Sequence, residues 1–226
     1  MHSYSSKAKK FILILSLSSF ISSLFMAGTA VVLLVTDGPL SVITNPVAGI
    51  KISMAAAFAH CLLTALLFVF YGPESFEEKF HFQITNIIKC CGILLFACIV
   101  FHAIAVCFGA PVLTSVAETF HFSMLMTVLV CLPGCLFFGP KISNWLDVFA
   151  FDAAVGIETI VYMTTIGSLL GSWLGAIPIP LDWDRPWQEW PVTCVVGALG
   201  GYSGGLLFAA IQLPRKLRSS SKSKFF

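Results

Sequence analysis

Three ionisable side chains stand inside long apolar stretches of the sequence: His60, His102 and Glu158. Such groups are costly in hydrocarbon and are functional candidates by default, for a proton relay or a lipid headgroup site. Each can also be satisfied by an interhelical hydrogen bond, which is the interpretation we favour. The sequence contains no HExxH, no GxSxG and no phosphate-binding glycine loop. We therefore predict no catalytic residue and, because no Cys or His spacing resembles a metal site, no metal and no cofactor.

A second polar group lies in residues 176–191, which we call the tryptophan loop. Its candidates for contact with a partner or a lipid are Asp182, Trp183, Asp184, Arg185, Trp187, Glu189 and Trp190. We expect Arg185 to pair with a neighbouring carboxylate and so to fix the shape of the loop, while the tryptophans supply contact area. Two interpretations stay open, a paired loop that rests on the membrane and a docking surface.

The composition indicates the elements that must position these groups. The chain is 58% hydrophobic and 11% charged, with a mean hydropathy of +0.92, whereas soluble domains carry about 25% charged residues. Six windows are long enough to cross a bilayer core, which takes about 20 helical residues. We predict a single all-α integral membrane domain over residues 1–226, a bundle of six transmembrane helices at about 11–35, 47–71, 88–109, 119–138, 153–174 and 192–213.

The basic residues predict the orientation of this bundle. With six spans, only Lys51 and Arg185 of the 13 lysines and arginines lie on the side of the tryptophan loop, which leaves eleven on the side of both termini. Cytosolic segments are the ones enriched in lysine and arginine. Both termini are therefore predicted to be cytosolic and the tryptophan loop lumenal. Because the basic residues build no folded basic face, nucleic acid is not an expected partner.

The predicted spans give depths for two of the ionisable groups. His60 lies about 20 Å from the lumenal face and Glu158 about 9 Å from the cytosolic face of a core about 30 Å thick. These depths are similar. We therefore expect His60 and Glu158 to pair between the second and fifth spans.

Glycines recur every four residues in the last two spans, where we expect them to pack helices. They are Gly167, Gly171 and Gly175 in the fifth span and Gly197, Gly201 and Gly205 in the sixth. Small residues let helix backbones approach closely in lipid. The favoured interpretation is that these two spans pack on each other. A glycine face offered to another protein is compatible with it.

The chain ends in a predicted cytosolic tail, residues 214–226, which follows a helix stop at Pro214. Lys222 and Lys224 stand five and three residues from the end, counting Phe226 as one. This spacing resembles a dilysine retrieval signal, which predicts residence in the endoplasmic reticulum. The alternative is an electrostatic membrane anchor.

The most distinctive residues carry a family resemblance. The sequence reads WLGA at 173–176, PLDWDRPWQEWP at 180–191 and GGY at 200–202. This run resembles the signature of the PIG-F family, small endoplasmic-reticulum proteins of glycosylphosphatidylinositol (GPI) anchor biosynthesis. The size and six-span layout extend the resemblance, more weakly, over the whole chain.

The resemblance implies a non-catalytic role. Members of this family stabilise ethanolamine phosphate transferases of the PIG-O and PIG-G type, which carry the catalytic domain and modify GPI mannoses. On this expectation the chain is an accessory subunit that contacts membrane lipids, including phosphatidylethanolamine and GPI intermediates. The alternative is a lipid-handling membrane protein, namely a carrier, a scramblase or an intramembrane enzyme that uses His60, His102 and Glu158.

Overall fold

The computed structural model describes residues 6–72, 84–150 and 155–222, and this part of the chain is helical without a strand. Asn45 begins the second helix by accepting a hydrogen bond from the Ala48 N–H at 3.1 Å, and Pro46 occupies the first turn, where its missing N–H costs nothing. The helices are α1 (Ser6–Val35), α2 (Pro46–Tyr71), α3 (Ile84–Cys107), α4 (Val116–Phe138), α5 (Ile142–Ala150), α6 (Ile157–Ala176) and α7 (Val192–Lys222).

Five helices in the described part of the chain are long and apolar enough to cross a membrane: α1, α2, α3, α4 and α7. Helix α6 has 20 residues but is not among the five. Its hydroxyl side chains and glycines, together with Glu158, reduce its apolar character. Six spans and two cytosolic termini therefore stay predictions.

Helix α7 lies at the centre of the bundle, where it packs most extensively against α6 and next against α1. Its large side chains Leu199, Tyr202 and Leu206 are fully buried. Two serines join α7 to α1 reciprocally. Ser23 Oγ donates to the Ser203 carbonyl at 2.9 Å, and Ser203 Oγ donates to the Ser23 carbonyl at 2.8 Å.

Helix α7 continues through Pro214 to Lys222, so the predicted helix stop at Pro214 is wrong. A proline inside a helix removes the bond from its own nitrogen to the carbonyl four residues earlier, here that of Ala210. Ser16 of α1 replaces that bond, because its Oγ donates to the Ala210 carbonyl at 2.8 Å. Helix α1 therefore satisfies the group that the proline leaves unpaired.

Helices α2 and α3 both pack against α4, which runs unbroken through Pro133. The next residue, Gly134, leaves room for Trp145 of α5, because a Cβ at Gly134 would overlap the indole ring. The Trp145 indole N–H donates to the Gly139 carbonyl at 2.9 Å. Helix α5 is thereby fixed to the end of α4.

Three connections meet at one end of the bundle: residues 36–45, residues 108–115 and the tryptophan loop. The Trp190 indole N–H donates to Thr119 Oγ1, near the start of α4, at 2.9 Å. The Val42 N–H donates to the Leu33 carbonyl at 2.9 Å and folds the first connection back onto α1. The tryptophan loop is thus built into this end of the bundle.

Candidate functional site

The floor of the candidate site is a contact between the backbones of α6 and α7. A Cβ added at Gly201 would overlap the Gly167 carbonyl, and one added at Gly171 would overlap the Gly197 carbonyl. The same holds for Gly175 against Thr193. The close approach therefore requires glycine at these positions.

The remaining glycine of the predicted set also serves this contact. A Cβ at Gly205 would overlap the Met163 carbonyl of α6. All six predicted packing glycines thus lie between α6 and α7. Each of them therefore serves the packing of these two helices on each other.

Two other glycines of α7 are open. Gly200 and Gly204 are exposed, and a Cβ added at either position would meet no atom within 4 Å outside its own stretch of helix. They lie one helical turn apart on the outer face of α7. Gly200 alone of the two lines the groove described next.

An apolar groove of about 770 Å³ runs along the α6–α7 seam to the tryptophan loop. Glycines of both helices form its floor, and Leu34, Leu170 and Leu174 stand along its sides. Ile43 of the first connection and Trp187 of the tryptophan loop line the end nearest that loop. The groove therefore joins the helix seam to the loop.

A neutral side chain that the sequence analysis missed, Gln188, organises the tryptophan loop. It is 7% exposed. Its Oε1 accepts from the Arg185 N–H at 2.9 Å, and its Nε2 donates to the carbonyls of Pro178 and Leu181, both at 2.8 Å. In the sequence, the only indication that Gln188 holds the loop together is its position between two tryptophans in a proline-rich segment.

The charged residues of the loop do not form the predicted ion pair. Arg185 is exposed, as are Asp182, Asp184 and Glu189, and within the described ranges Arg185 makes no salt bridge. The expectation that Arg185 and its neighbouring carboxylates fix the loop is therefore wrong. Hydrogen bonds of Gln188 do so, because a buried amide can satisfy several backbone groups at once.

The three loop tryptophans have different surroundings. Trp190 is half-buried, bonded to Thr119, and its ring packs edge-on against Phe122 with centroids 5.2 Å apart. Trp187 is half-buried and touches Trp183, with centroids 5.8 Å apart. Trp183 is 56% exposed. Trp190 is therefore an anchor, Trp187 a groove residue and Trp183 a surface residue.

The structure does not pair His60 with Glu158, which corrects the prediction from span depths. The His60 ring packs edge-on against Tyr202 of α7 at 5.7 Å, and its Nδ1 has no hydrogen-bond partner among the described residues. Glu158 lies in the first turn of α6. Depth along two helices gives no information about the direction in which each side chain points.

The other predicted polar residues lie apart from the groove. His102 of α3 is half-buried, and its Nδ1 has no hydrogen-bond partner in the described part of the chain. Among the same residues, no cluster of three or more His, Cys, Asp or Glu side chains could hold a metal ion. Lys222 ends α7, and Lys224 lies outside the described residues.

Comparison with known protein families identifies the family of this chain. The family model described as "GPI biosynthesis protein family Pig-F" matches residues 30–210. The chain belongs to the PIG-F family. The match covers the tryptophan loop, the groove and the α6–α7 glycine contact. No solved structure matches.

Similar proteins in this family carry informative names. A human protein named "GPI ethanolamine phosphate transferase, stabilizing subunit" is 38% identical over 155 residues, which are 66% of this chain and 71% of the human one. The mouse protein of the same name is 39% identical over 150 residues, 66% of this chain and 68% of its own. A Yarrowia lipolytica protein named "Glycosylphosphatidylinositol anchor biosynthesis protein 11" is 40% identical over 131 residues, 57% of this chain and 56% of its own.

Proposed function

We propose that this PIG-F family member is a non-catalytic stabilising subunit of GPI ethanolamine phosphate transferases. The observation that carries the proposal is the similarity to the human and mouse stabilising subunits over about two thirds of both chains. The partner supplies the chemistry, and this chain supplies a membrane scaffold. The transferases it serves are of the PIG-O and PIG-G type, in GPI-anchor biosynthesis.

The exposed side of the tryptophan loop is the contact surface for the transferase. Trp183 supports this assignment because it is a large, exposed aromatic side chain beside exposed carboxylates, on a loop that Gln188 holds in shape. Aromatic residues dominate the energetics of protein interfaces. The six packing glycines act indirectly: they hold α6 and α7 together and so fix both ends of the loop.

The chain resides in the endoplasmic reticulum membrane with six spans, both termini in the cytosol and the tryptophan loop in the lumen. The distribution of lysines and arginines supports this orientation. Helix α6 is the fifth of these six spans, and its packing against α7 supports this assignment because α7 covers part of its polar surface. Lys222 and Lys224 form the retrieval signal on the cytosolic tail.

Co-purification with each transferase tests the proposed function. We expect Trp183→Ala to lower transferase recovery and the cellular abundance of the transferase, because it removes the exposed aromatic contact. The matched control is Trp173→Ala, since Trp173 is 57% exposed and lies on α6 outside the loop. Unchanged transferase recovery and abundance for Trp183→Ala would refute the contact at the loop. Unchanged transferase abundance after removal of the whole chain would refute the stabilising role.

A further inference from the structure

The groove on the α6–α7 seam has the size of a ligand site. Its volume of about 770 Å³ falls within the roughly 300–1,000 Å³ typical of small-molecule sites. Its glycine floor and leucine sides offer almost wholly apolar contact. Leu170 and Leu174 are also exposed on the outer surface of the bundle, so the groove opens sideways where the membrane lies.

Four stretches of this chain lie outside the described ranges. They are residues 1–5, 73–83, 151–154 and 223–226, which adjoin the start of α1, the end of α2, the start of α6 and the end of α7. The groove instead adjoins the end of α6 and the start of α7. Because none of these stretches joins a helix end at the groove, we take the occupant of the groove to be a separate molecule.

The dimensions favour a hydrocarbon chain over a transmembrane helix. The floor from Gly167 to Gly175 is about 12 Å long, which is only about two turns of helix, whereas a helix that crosses the bilayer core has about 20 residues. At one end, Ile43 and Trp187 also line the space through which a helix would have to continue. An acyl chain is narrow enough to lie beneath them.

The charges of the tryptophan loop, which contributes Trp187 to the groove, indicate the headgroup. Arg185 stands two residues from Trp187, is exposed, and forms no salt bridge with another residue of the described part of the chain. A guanidinium is well suited to bind phosphate. With Asp182, Asp184 and Glu189, however, the loop has a formal net charge of −2, which is three acidic residues against one basic residue. This balance favours a lipid with both a phosphate and a cationic group.

We propose that the groove binds one acyl chain of a zwitterionic glycerophospholipid, whose phosphate lies at Arg185. Trp187 covers the chain near the membrane surface, where tryptophan is favoured. The lipid site is distinct from the proposed transferase contact at Trp183. It goes beyond the stabilising role, and either assignment can fail without the other.

Two glycines of α7 provide a matched pair of variants. Gly200 lines the groove and Gly204 does not, yet both are exposed and neither has a neighbouring atom within 4 Å of an added Cβ. Gly200→Phe fills the groove, and Gly204→Phe adds the same side chain one turn away. Because both positions are open, both variants should fold, which thermal unfolding in detergent verifies.

Native mass spectrometry of the full chain, purified from membranes, measures the retained lipid. We expect about one phospholipid per chain for the parent protein and for Gly204→Phe, and at least fivefold less for Gly200→Phe. After exchange against vesicles of equal phosphatidylcholine and phosphatidylglycerol, the parent should retain mainly phosphatidylcholine. Arg185→Gln should lower phospholipid retention severalfold, while the chain stays folded.

Several results would overturn the lipid site. They are equal retention by the two phenylalanine variants, no retained lipid in the parent, and equal retention of the anionic and zwitterionic lipids. Disulfide crosslinking of Gly200→Cys to a helix of the co-purified transferase would show that the groove holds a protein helix instead. If Trp183→Ala lowers transferase recovery and leaves lipid retention unchanged, the transferase contact and the lipid site are separate.

Discussion

At the scale of single residues, Gln188 determines the conformation of the tryptophan loop. Its amide satisfies three backbone groups that are far apart in the loop, the Arg185 N–H and the carbonyls of Pro178 and Leu181. Prolines cannot donate backbone hydrogen bonds, so a segment rich in them needs side chains to complete its bonding. The loop is therefore rigid through one buried side chain.

Replacing that amide should loosen the loop while leaving the helices intact. Gln188→Glu keeps the shape and the acceptor oxygens but turns both donor bonds into contacts between a carboxylate and carbonyls. We expect a loss of about 1–3 kcal/mol of local stability, the cost of unsatisfied buried polar groups. Hydrogen–deuterium exchange should rise in residues 177–190 and not in α2. The exposed residue Asp182 gives the control, since Asp182→Asn should leave exchange unchanged.

The sequence alone could identify the tryptophan loop but not its internal bonding. Its aromatic and charged composition predicted a functional segment at the family's signature. Charged residues next to each other in sequence, such as Asp184 and Arg185, predicted an ion pair that the structure does not form. Exposed charges are well solvated and gain little from pairing, whereas the buried amide must be satisfied. Burial, which decides between the two, cannot be read from a loop without periodicity.

At the scale of helices, the α6–α7 seam distinguishes glycines that are required from glycines that are not. Gly201→Ala should destabilise the protein by about 1–3 kcal/mol or more, because the added methyl overlaps the Gly167 carbonyl and overpacked positions cost about that much. Gly200→Ala should be neutral or stabilising by up to about 1 kcal/mol, since alanine favours helix and the position is open. Thermal unfolding in detergent measures both. Equal effects of the two substitutions would contradict the observed seam.

Spacing predicted the glycine faces because a four-residue repeat determines which side chains share one side of a helix. The stop at Pro214 was predicted from the same kind of local rule, and there the rule failed. Proline breaks a helix when the freed carbonyl has no other donor. Ser16, nearly 200 positions earlier, supplies that donor. A residue so distant in sequence gives no local signal.

This substitute bond can be isolated by a double-mutant cycle. Ser16→Ala should cost about 0.5–1.5 kcal/mol in the parent chain, because it removes the hydrogen bond to the Ala210 carbonyl. In a Pro214→Ala background, residue 214 regains its N–H and can bond that carbonyl, so Ser16→Ala should cost much less. The coupling energy is the difference between the cost of Ser16→Ala in the parent chain and its cost in the Pro214→Ala background, each measured as a change in unfolding free energy. Additive effects would show that Ser16 does not compensate for the proline.

At the scale of the whole molecule, the remaining issue is whether α6 crosses the membrane. Taken alone, it is not among the helices apolar enough to span. In the bundle, however, Thr159, Thr164 and Ser168 are buried, and Thr164 and Ser168 donate hydrogen bonds to carbonyls of their own helix, at 2.9 Å and 2.8 Å. Burial of its hydroxyl groups leaves mainly apolar side chains of α6, such as Leu170 and Leu174, on the outer surface of the bundle. Composition by itself understates how well such a helix suits a membrane.

Cysteine labelling in sealed endoplasmic-reticulum microsomes tests this placement. Lys141 and Asp182 are both exposed and lie on either side of α6 in the sequence. We expect a membrane-impermeant maleimide to label Lys141→Cys in intact vesicles, and to label Asp182→Cys only after detergent opens them. The parent chain, with its own eight cysteines, sets the background. Labelling of both variants in intact vesicles would place both ends of α6 in the cytosol, and would remove the lumenal position on which the transferase contact depends.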